Sequence, residues 1–357
     1  MLTSDCLKER EACLQAPSSA EYHFMEIAKD INILVEALAT KPSVWAVIVS
    51  YNSFDDTCAC VRSLLASSYE NLMVVVVDNN SPDGSGFMLQ NAISSPRVKI
   101  IRSPENNGFA AGSNIGLHYA RNCGAELFWL VNADVTVDSN ALFHLVECFA
   151  NHPECGAVGS KVLYPRFSKR HKRENEIVNL DLIWGAGGKV DFSKREVQML
   201  GWREIDQGQY DDMRECDYLP GCSLMVSRLA IDKIGYLPEM YFMYFEETDW
   251  CTRMREEGFK LLYTPESVVW HDFDEDGKKS SNMVYYYNRS TMLFWHKHSR
   301  GISRLKFVCR VMFKDLLRAQ RALKAARNDA QREIFRAHRD SCIDFLLGRV
   351  GRRRTGR

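Results

Sequence analysis

The sequence lacks several features that would assign it to common classes. No stretch approaches the roughly 18 consecutive apolar residues of a membrane span, and Met1 to Arg10 is polar rather than a signal-peptide core. The 12 cysteines are scattered, and the one close pair, Cys58-Ala59-Cys60, has neither metal-finger nor thioredoxin spacing. We therefore expect a cytoplasmic protein in a reducing environment, without a disulfide framework.

Net charge is also lacking, but only on average. Lys plus Arg number 46, as do Asp plus Glu, yet residues 300–357 hold 17 Lys/Arg against 5 Asp/Glu. This segment therefore carries +12 and the remainder −12. Its basic residues alternate with Leu305, Met312 and Leu316 at helical spacing, which favours contact with a membrane surface or an acidic partner. A helix packed on the rest of the chain is the alternative, and no nucleic-acid recognition motif accompanies the charge.

Buried strands alternate with helical segments from residue 44 onward. Four short apolar runs predict the first strands: Val44–Val49, Leu72–Val77, Val98–Ile101 and Leu127–Val131. This order predicts an α/β fold with a mostly parallel sheet between two layers of helices. We expect residues 1–43 to form an N-terminal, helical extension, 44–271 the main domain and 272–357 a basic C-terminal helical segment.

Polar side chains follow three of these strands, at Tyr51-Asn52, Asp78 and Asn132-Ala133-Asp134. Ligands of open α/β sheets bind beyond the carboxyl ends of the strands. A carboxylate there can coordinate a divalent cation that takes phosphate oxygens, so Asp134 is the first candidate metal ligand. Asp78 could accept from a pyrimidine N3–H or from ribose hydroxyls, although both aspartates also suit ordinary turns. Neither G-x-G-x-x-G nor a Walker lysine occurs near a strand end, which disfavours a dehydrogenase or P-loop enzyme.

A second polar cluster, Glu246, Glu247 and Asp249, directly follows the aromatic run Tyr241–Phe245. The helix macrodipole favours acidic residues in a first turn, which explains one or two of them. A carboxylate flanked by like charges and apolar rings should have a raised pKa, which suits a general base. His271 ends the next predicted strand pair (261–263 and 268–270), where a role near metal or diphosphate is predicted.

Taken in order, these motifs resemble those of family 2 inverting glycosyltransferases with the GT-A fold, over about residues 44–300. The matching segments are Val49–Asn52, Val77–Ser81, Asn107–Gly112, Asn132–Asp134, Phe245–Trp250, Val269–His271 and Tyr286–Ser290. Within the family, the chain looks most like bacterial rhamnosyltransferases of surface-polysaccharide assembly. Galactofuranosyl and other hexosyl transferases follow closely.

The resemblance implies a role for each matching residue. Asp134 would bind Mg²⁺ or Mn²⁺ and the diphosphate, with His271 as a second contact to the metal or phosphate. Glu247 stands where relatives usually carry an aspartate base, and Glu246 or Asp249 would share or take that role. The other residues implied in nucleotide-sugar binding are Tyr51, Asn52, Asp78, Asn80, Asn107, Gly108, Asn114, Asn132 and Ala133.

The resemblance also implies the reaction. A sugar, rhamnose first, would move with inversion from a nucleotide-diphosphate donor (dTDP-rhamnose or a UDP-sugar) to a glycan or lipid-linked glycan. Peripheral contact with the inner membrane through the basic helix is expected. A sugar nucleotidylyltransferase is disfavoured because Ser50-Tyr51-Asn52 replaces a Gly-rich basic loop. A non-catalytic binding module is disfavoured by the acidic cluster.

Overall fold

The computed structural model describes residues 41–166, 181–273 and 280–353, so nearly all of the predicted N-terminal extension lies outside the described residues. The strands are β1 Val44–Ser50, β2 Leu72–Asp78, β3 Val98–Arg102, β4 Leu127–Val131, β5 Val135–Val137, β6 Cys155–Leu163, β7 Ile183–Gly185, β8 Gly188–Asp191, β9 Glu196–Met199, β10 Arg214–Glu215, β11 Ser223–Ser227 and β12 Lys260–His271. The helices are α1 Phe54–Leu65, α2 Ser85–Ala92, α3 Phe109–Asn122, α4 Ala141–Asn151, α5 Arg228–Ile234, α6 Glu246–Glu256, α7 Ser281–Lys297, α8 Gly301–Arg310, α9 Leu316–Lys324 and α10 Asp329–Leu346.

Ten of the described strands form one sheet, whose main order is β10-β12-β6-β11-β4-β1-β2-β3. β1 runs parallel to β2 and β4, β2 to β3, and β12 to β6. β11 is antiparallel to both of its neighbours, β4 and β6, so β6 and β12 run in the same direction as β4. The carboxyl ends of β1, β2, β3, β4, β6 and β12 therefore meet at one edge.

The apolar runs of the sequence are buried on both faces of this sheet. In β1, Trp45 and Val47 join the core beneath α3, while Val44, Ala46 and Ile48 join the core beneath α1 and α4. A strand covered on both sides needs apolar residues at every position, which explains its continuous rather than alternating pattern. The predicted mostly parallel sheet between helices is confirmed.

Two details of the prediction were wrong. The predicted strand pair 261–263 and 268–270 is one strand, β12, whose pairing with β6 shifts register between Thr264 and Val268. A bulge of this kind keeps one strand in the sheet although its alternation is interrupted. β11 was missed, because Leu224-Met225-Val226 is too short an apolar run to separate strand from helix.

The C-terminal part is helical, as predicted. Residues of α7, α8 and α10 (among them Phe294, Phe307 and Phe345) belong to the same hydrophobic core as one face of the sheet. The division at residue 271 stays a prediction. Among the described residues, no helix is both long and apolar enough to cross a membrane.

Candidate active site

The carboxyl ends of β4 and β12 bring Asn132, Asp134 and His271 together. The His271 Nε2 lies 3.2 Å from the Asp134 Oδ1 and 3.4 Å from the Asn132 Nδ2. The Asp272 amide donates to the Asp134 carbonyl at 3.0 Å, which ties the two strand ends by backbone as well. Asp134 and His271 lie close together because β5, which begins directly after Asp134, pairs antiparallel with β12 and places Val135 opposite His271.

His271 is buried, at 2% exposure. Burial alone lowers the pKa of His271, but the Asp134 carboxylate outweighs it and raises the pKa to about 10. Its Nδ1 has no partner in hydrogen-bond geometry among the described residues, although the Cys222 thiol adds to the rise. The Asp134 carboxylate therefore favours the protonated form of His271, and a cation binding there would compete with that proton.

A metal ion fits this pair only if the substrate completes its coordination. Among the described residues, no group of three or more His, Cys, Asp and Glu is arranged to hold a metal. Mg²⁺ commonly takes one or two carboxylates plus substrate phosphates, so a small protein contribution is compatible with that ion. Asp134 supplies the carboxylate and His271 the second donor, and a diphosphate would supply the rest.

The turn at Gly221-Cys222 joins this edge to the acidic cluster. A Cβ at Gly221 would lie 3.4 Å from both Cβ and Cγ of Glu247. The next residue, Cys222, accepts the Asn132 amide through its carbonyl at 3.1 Å. Glu247 and the Asn132-Ala133-Asp134 step therefore lie on two sides of one short turn.

The loop before Glu246 has an unusual backbone. Phe242, Tyr244 and Phe245 have φ of 65°, 67° and 69°, in the left-handed region that bulky side chains rarely adopt. Residues held there cost of order 1–3 kcal/mol each and persist only when their surroundings impose them. The acidic cluster is thus presented by a strained turn.

Contacts from two distant parts of the chain hold this turn. The Phe109 amide donates to the Phe242 carbonyl at 2.6 Å, and any Cβ at Gly108 would overlap that carbonyl. From α7, the Ser290 hydroxyl lies 2.8 Å from the Met243 carbonyl and 3.2 Å from the Tyr241 carbonyl, so its single proton is shared between the two. Gly108 is therefore needed so that the loop before α3 can dock on the aromatic run.

Glu246 and Glu247 lie in a desolvated, aromatic environment at the start of α6. Glu246 is 5% exposed, and its Oε2 has no hydrogen-bond partner among the described residues. Burial, followed by the charge of Glu247, raises the pKa of Glu246 well above its usual value. Burial also raises the pKa of Glu247, which is half-buried with the Thr248 hydroxyl 3.4 Å from its Oε1.

Asp249 has a different role from its two neighbours. Its carboxylate is fully buried and accepts from His298 at 2.7 Å, Lys297 at 2.8 Å, Arg253 at 3.1 Å and Tyr241 at 3.2 Å. Burial raises the pKa of Asp249, but the hydrogen bonds from His298 and Lys297 outweigh it and lower the pKa. A carboxylate held by four donors ties α6 to α7 and has little capacity left to accept a substrate proton.

Farther along the same edge, Tyr51, Asn52 and Asn80 follow β1 and β2 and are exposed. Asp78, by contrast, is fully buried; its Oδ1 accepts the Ser81 amide at 3.2 Å and its Oδ2 lies 3.5 Å from the Arg102 Nε. Its contact with a nucleotide base stays a prediction. The geometry favours Asp78 as the residue that shapes the loop carrying Asn80.

The segment from Asn107 to Asn114, at the start of α3, has residues both at the surface and in the core. Asn107 is exposed at the same edge. Asn114 is buried, and its amide bonds to the Leu237 backbone at 2.9 and 3.0 Å and to the Glu239 carboxylate at 2.8 Å. Asn114 therefore supports the segment that leads into the strained turn, and its predicted contact with the nucleotide sugar has no free amide group to use.

Aromatic rings line the far side of His271. The Trp184 ring lies 4.6 Å from the His271 ring and 5.6 Å from Trp202, which in turn lies 6.2 Å from Tyr164. Trp202 is 41% exposed, and the Trp184 Nε1 has no hydrogen-bond partner among the described residues. We call Tyr164, Trp184 and Trp202 the aromatic box.

Sequence reasoning missed Arg102 and Ser290 as parts of this region. Arg102 pairs in register with Asp78 across β2 and β3, a match that aligning the two predicted strand ends would have found. Ser290 lay within a quoted motif but without a role, because its partners are backbone carbonyls nearly fifty residues earlier.

Comparison with known proteins gives a consistent picture. Residues 45–214 match the family model described as Glycosyl transferase family 2. The low-salt glycan biosynthesis hexosyltransferase Agl10 of Haloferax volcanii is 24% identical over 265 residues, 73% of this chain and 78% of that protein. An N-acetylglucosaminyl-diphospho-decaprenol L-rhamnosyltransferase of Mycobacterium tuberculosis is 24% identical over 260 residues, 70% of this chain and 82% of that protein.

The fold is likewise similar to that of a solved glycosyltransferase. A mannosyltransferase of Pyrobaculum calidifontis, determined with GDP-Man and Mn²⁺, superposes with a TM-score of 0.52. The likeness covers 90% of this chain and 95% of that one at 13% sequence identity, which supports a shared fold alone.

Proposed function

We propose that this chain, whose residues 45–214 match the family model described as Glycosyl transferase family 2, moves a sugar, with inversion, from a nucleotide-diphosphate donor to a glycan or lipid-linked glycan. Rhamnose is the favoured sugar, because one matched relative is named as a rhamnosyltransferase acting on a lipid-linked sugar. A UDP-hexose is the alternative, since another relative is named only as a hexosyltransferase.

The Gly221-Cys222 turn supports this proposal most directly. It lies beside Glu247 on one side and binds the Asn132 amide on the other, which supports a candidate proton acceptor and a candidate diphosphate site close to one turn. Displacement at an anomeric carbon needs these two groups together. One activates the attacking hydroxyl, and the other accepts the departing nucleoside diphosphate.

In the proposed mechanism Glu247 is the general base. Its raised pKa and half-buried position suit removal of a proton from the acceptor hydroxyl, whereas Asp249 is held by four donors and Glu246 is buried. The acceptor oxygen then attacks the face of the anomeric carbon opposite the diphosphate. No covalent sugar–enzyme intermediate is needed, so the configuration inverts.

Asp134 and His271 would hold Mg²⁺ or Mn²⁺ against the diphosphate. When bound, that ion supplies charge neutralisation and a template for the leaving group. The Asn132 Nδ2 lies 3.4 Å from the same Nε2 of His271 that faces Asp134, and Asn107 and Tyr51 are exposed where the nucleotide would lie.

We assign acceptor binding to the aromatic box. Its exposed ring, Trp202, and the half-buried Trp184 offer flat apolar faces, which suit the face of a pyranose ring. The box adjoins His271, so an acceptor resting there would lie beside the diphosphate.

A donor panel tests the function. The chain is incubated with dTDP-rhamnose, UDP-galactofuranose, UDP-glucose or GDP-mannose, Mn²⁺ and a lipid-linked or soluble glycan, and nucleoside diphosphate release is measured. We expect dTDP release from dTDP-rhamnose. NMR should show an α-linked product from a β-donor, because the configuration inverts. Pyrophosphate chemistry would indicate a nucleotidylyltransferase, and binding without turnover a non-catalytic module; either result contradicts the proposal.

A further inference from the structure

Helices α8 and α9 and the π-helical segment between them, Val311–Asp315, form one continuous helix over Gly301–Lys324. One side is packed against the protein through Phe307, Val311 and Ala319. The other side exposes large apolar side chains: Ile302 (73%), Leu305 (64%), Phe313 (64%) and Leu317 (44%). A helix that already buries one face has no need of these residues for its own packing.

The π-helical segment keeps the exposed apolar residues in line. Positions 305, 309, 313 and 317 are four apart, so on a straight α-helix of 3.6 residues per turn they would drift around the axis. A π turn closes with an i→i+5 bond and takes more residues per turn, which offsets that drift. The result is a stripe along a helix of about 36 Å, which we call the outer stripe (Ile302, Leu305, Phe313 and Leu317).

Basic side chains flank the outer stripe. Residues 301–324 contain seven Lys/Arg and one acidic residue, Asp315, which lies 3.5 Å from Arg310. The remaining exposed cations include Lys306, Lys314 and Arg318, and these form no ion pair with any residue that the structure describes. Apolar rings and unpaired cations thus lie side by side on one surface.

We propose that the outer stripe docks on an anionic membrane surface, with Phe313 and Leu317 entering the headgroup boundary and the flanking cations pairing with lipid phosphates. Interfacial helices combine Phe and Leu on one face with Lys and Arg beside it. A nucleic acid would gain nothing from the exposed apolar residues. This surface role is independent of the donor sugar.

Vesicle co-sedimentation of the full chain tests the docking. We expect binding to vesicles of phosphatidylglycerol and phosphatidylcholine, weak binding to phosphatidylcholine alone, and a decrease with added salt. Lys314→Gln combined with Arg318→Gln should weaken binding about 25-fold, because each cation near an anionic surface contributes about fivefold. Phe313→Ser combined with Leu317→Ser should weaken it by about tenfold or more.

Phe143→Ser is the matched control. Phe143 is 48% exposed on α4, outside the outer stripe, so its loss should leave vesicle binding unchanged. Equal effects of Phe143→Ser and of Phe313→Ser combined with Leu317→Ser (the outer-stripe variant) would overturn the proposal. So would absence of binding by the unmodified chain, or a dimer in light scattering that the outer-stripe variant dissociates.

Turnover with a water-soluble acceptor separates this inference from the proposed function. The outer-stripe variant should retain that turnover, because none of its residues lies in the candidate active site. Loss of soluble turnover in the variant, with the fold intact by circular dichroism, would assign the stripe to the reaction rather than to the membrane.

Discussion

Two regions supply the polar side chains of the candidate active site, and they hold their backbones in different ways. Asn132 and Asp134 follow a regular strand whose neighbours are fixed by ladders of hydrogen bonds. Glu246 and Glu247 follow a turn in which Phe242, Tyr244 and Phe245 are all left-handed. The strand end needs only its sheet, whereas the turn needs contacts from both α3 and α7.

This difference separates binding from catalysis. A diphosphate site can rest on the most stable part of the sheet, while a base must be held in a desolvated position that the chain does not adopt by itself. Variants at the strand end should therefore change nucleotide affinity together with turnover, whereas variants at the turn should change mainly turnover.

Glu247→Gln should lower turnover at least a hundredfold, because the base is lost while the side-chain shape is kept. Nucleotide affinity should not change. The thermal midpoint should not fall, since the variant no longer buries a charge at this position. Glu257→Gln, at the exposed end of α6, is the matched control and should retain activity.

The pH profile sharpens the same prediction. Burial raises the pKa of Glu247, so it stays protonated to a higher pH than an ordinary glutamate. Turnover should therefore fall as the pH decreases through a value above 4.5, the usual pKa of this group. An acid limb that persists unchanged in Glu247→Gln would assign the base to another residue.

Asp134→Ala should also lower turnover about a hundredfold, but together with nucleotide affinity. Stimulation by Mn²⁺, measured through nucleotide binding as well as turnover, should disappear. Asp138→Asn, which keeps an acceptor for the Asn140 amide, should behave as the unmodified chain. If Asp134→Ala keeps its full nucleotide affinity, Asp134 does not belong to the diphosphate site.

Asp249→Ala should act on stability first, with a loss of about 3 kcal/mol, because three basic side chains lose their buried counter-charge. Chemical denaturation measures this loss. The pKa of folded Asp249 lies below its usual 3.8, so its contribution is present above that pH and disappears as the pH falls through the folded pKa. A variant of normal stability that is inactive would instead make Asp249 the base.

Ser290→Ala should cost about 1 kcal/mol, since the strained turn loses the one proton that the Tyr241 and Met243 carbonyls share. Turnover should fall more than nucleotide affinity, because the turn positions Glu247. Ser281→Ala, at the half-buried start of the same helix, removes a hydroxyl that among the described residues hydrogen-bonds only to Glu333, at 3.4 Å, and serves as the control. Equal losses in kcat and nucleotide affinity would contradict the separation of the two regions.

Trp202→Ala should give the smallest effect, raising KM for the acceptor about five- to tenfold with little change in kcat. KM for the donor should stay constant. Phe87→Ala removes a ring of similar exposure outside the aromatic box and should leave the acceptor KM unchanged. A shift in donor KM alone would place Trp202 on the nucleotide side.

The sequence was most informative where structure is local. β1, β2 and β4 were predicted almost to the residue, because continuous apolar runs bounded by polar turns identify strands buried on both faces. Asp134 and His271 were assigned to one metal site through the family resemblance, whereas the antiparallel pairing of β5 with β12 that brings them together was not predicted. The strained turn could not be predicted, since three left-handed aromatic residues are imposed by Gly108 and Ser290 from elsewhere in the chain.

The different environments of the three carboxylates could not be predicted from the sequence either. Glu246, Glu247 and Asp249 look alike in sequence, and the difference arises from partners that lie far along the chain. Lys297 and His298 donate hydrogen bonds to the Asp249 carboxylate, and the spacing of the acidic cluster does not predict these partners. Sequence patterns locate such a cluster, but tertiary contacts decide which member is available.

The dependence of the Phe242–Phe245 turn on α7 has a consequence for synthesis of the protein. A nascent chain that has completed the sheet but not α7 would carry the strand-end side chains without a positioned proton acceptor. Under the proposed function, transfer would therefore begin only once α7 has folded against this turn.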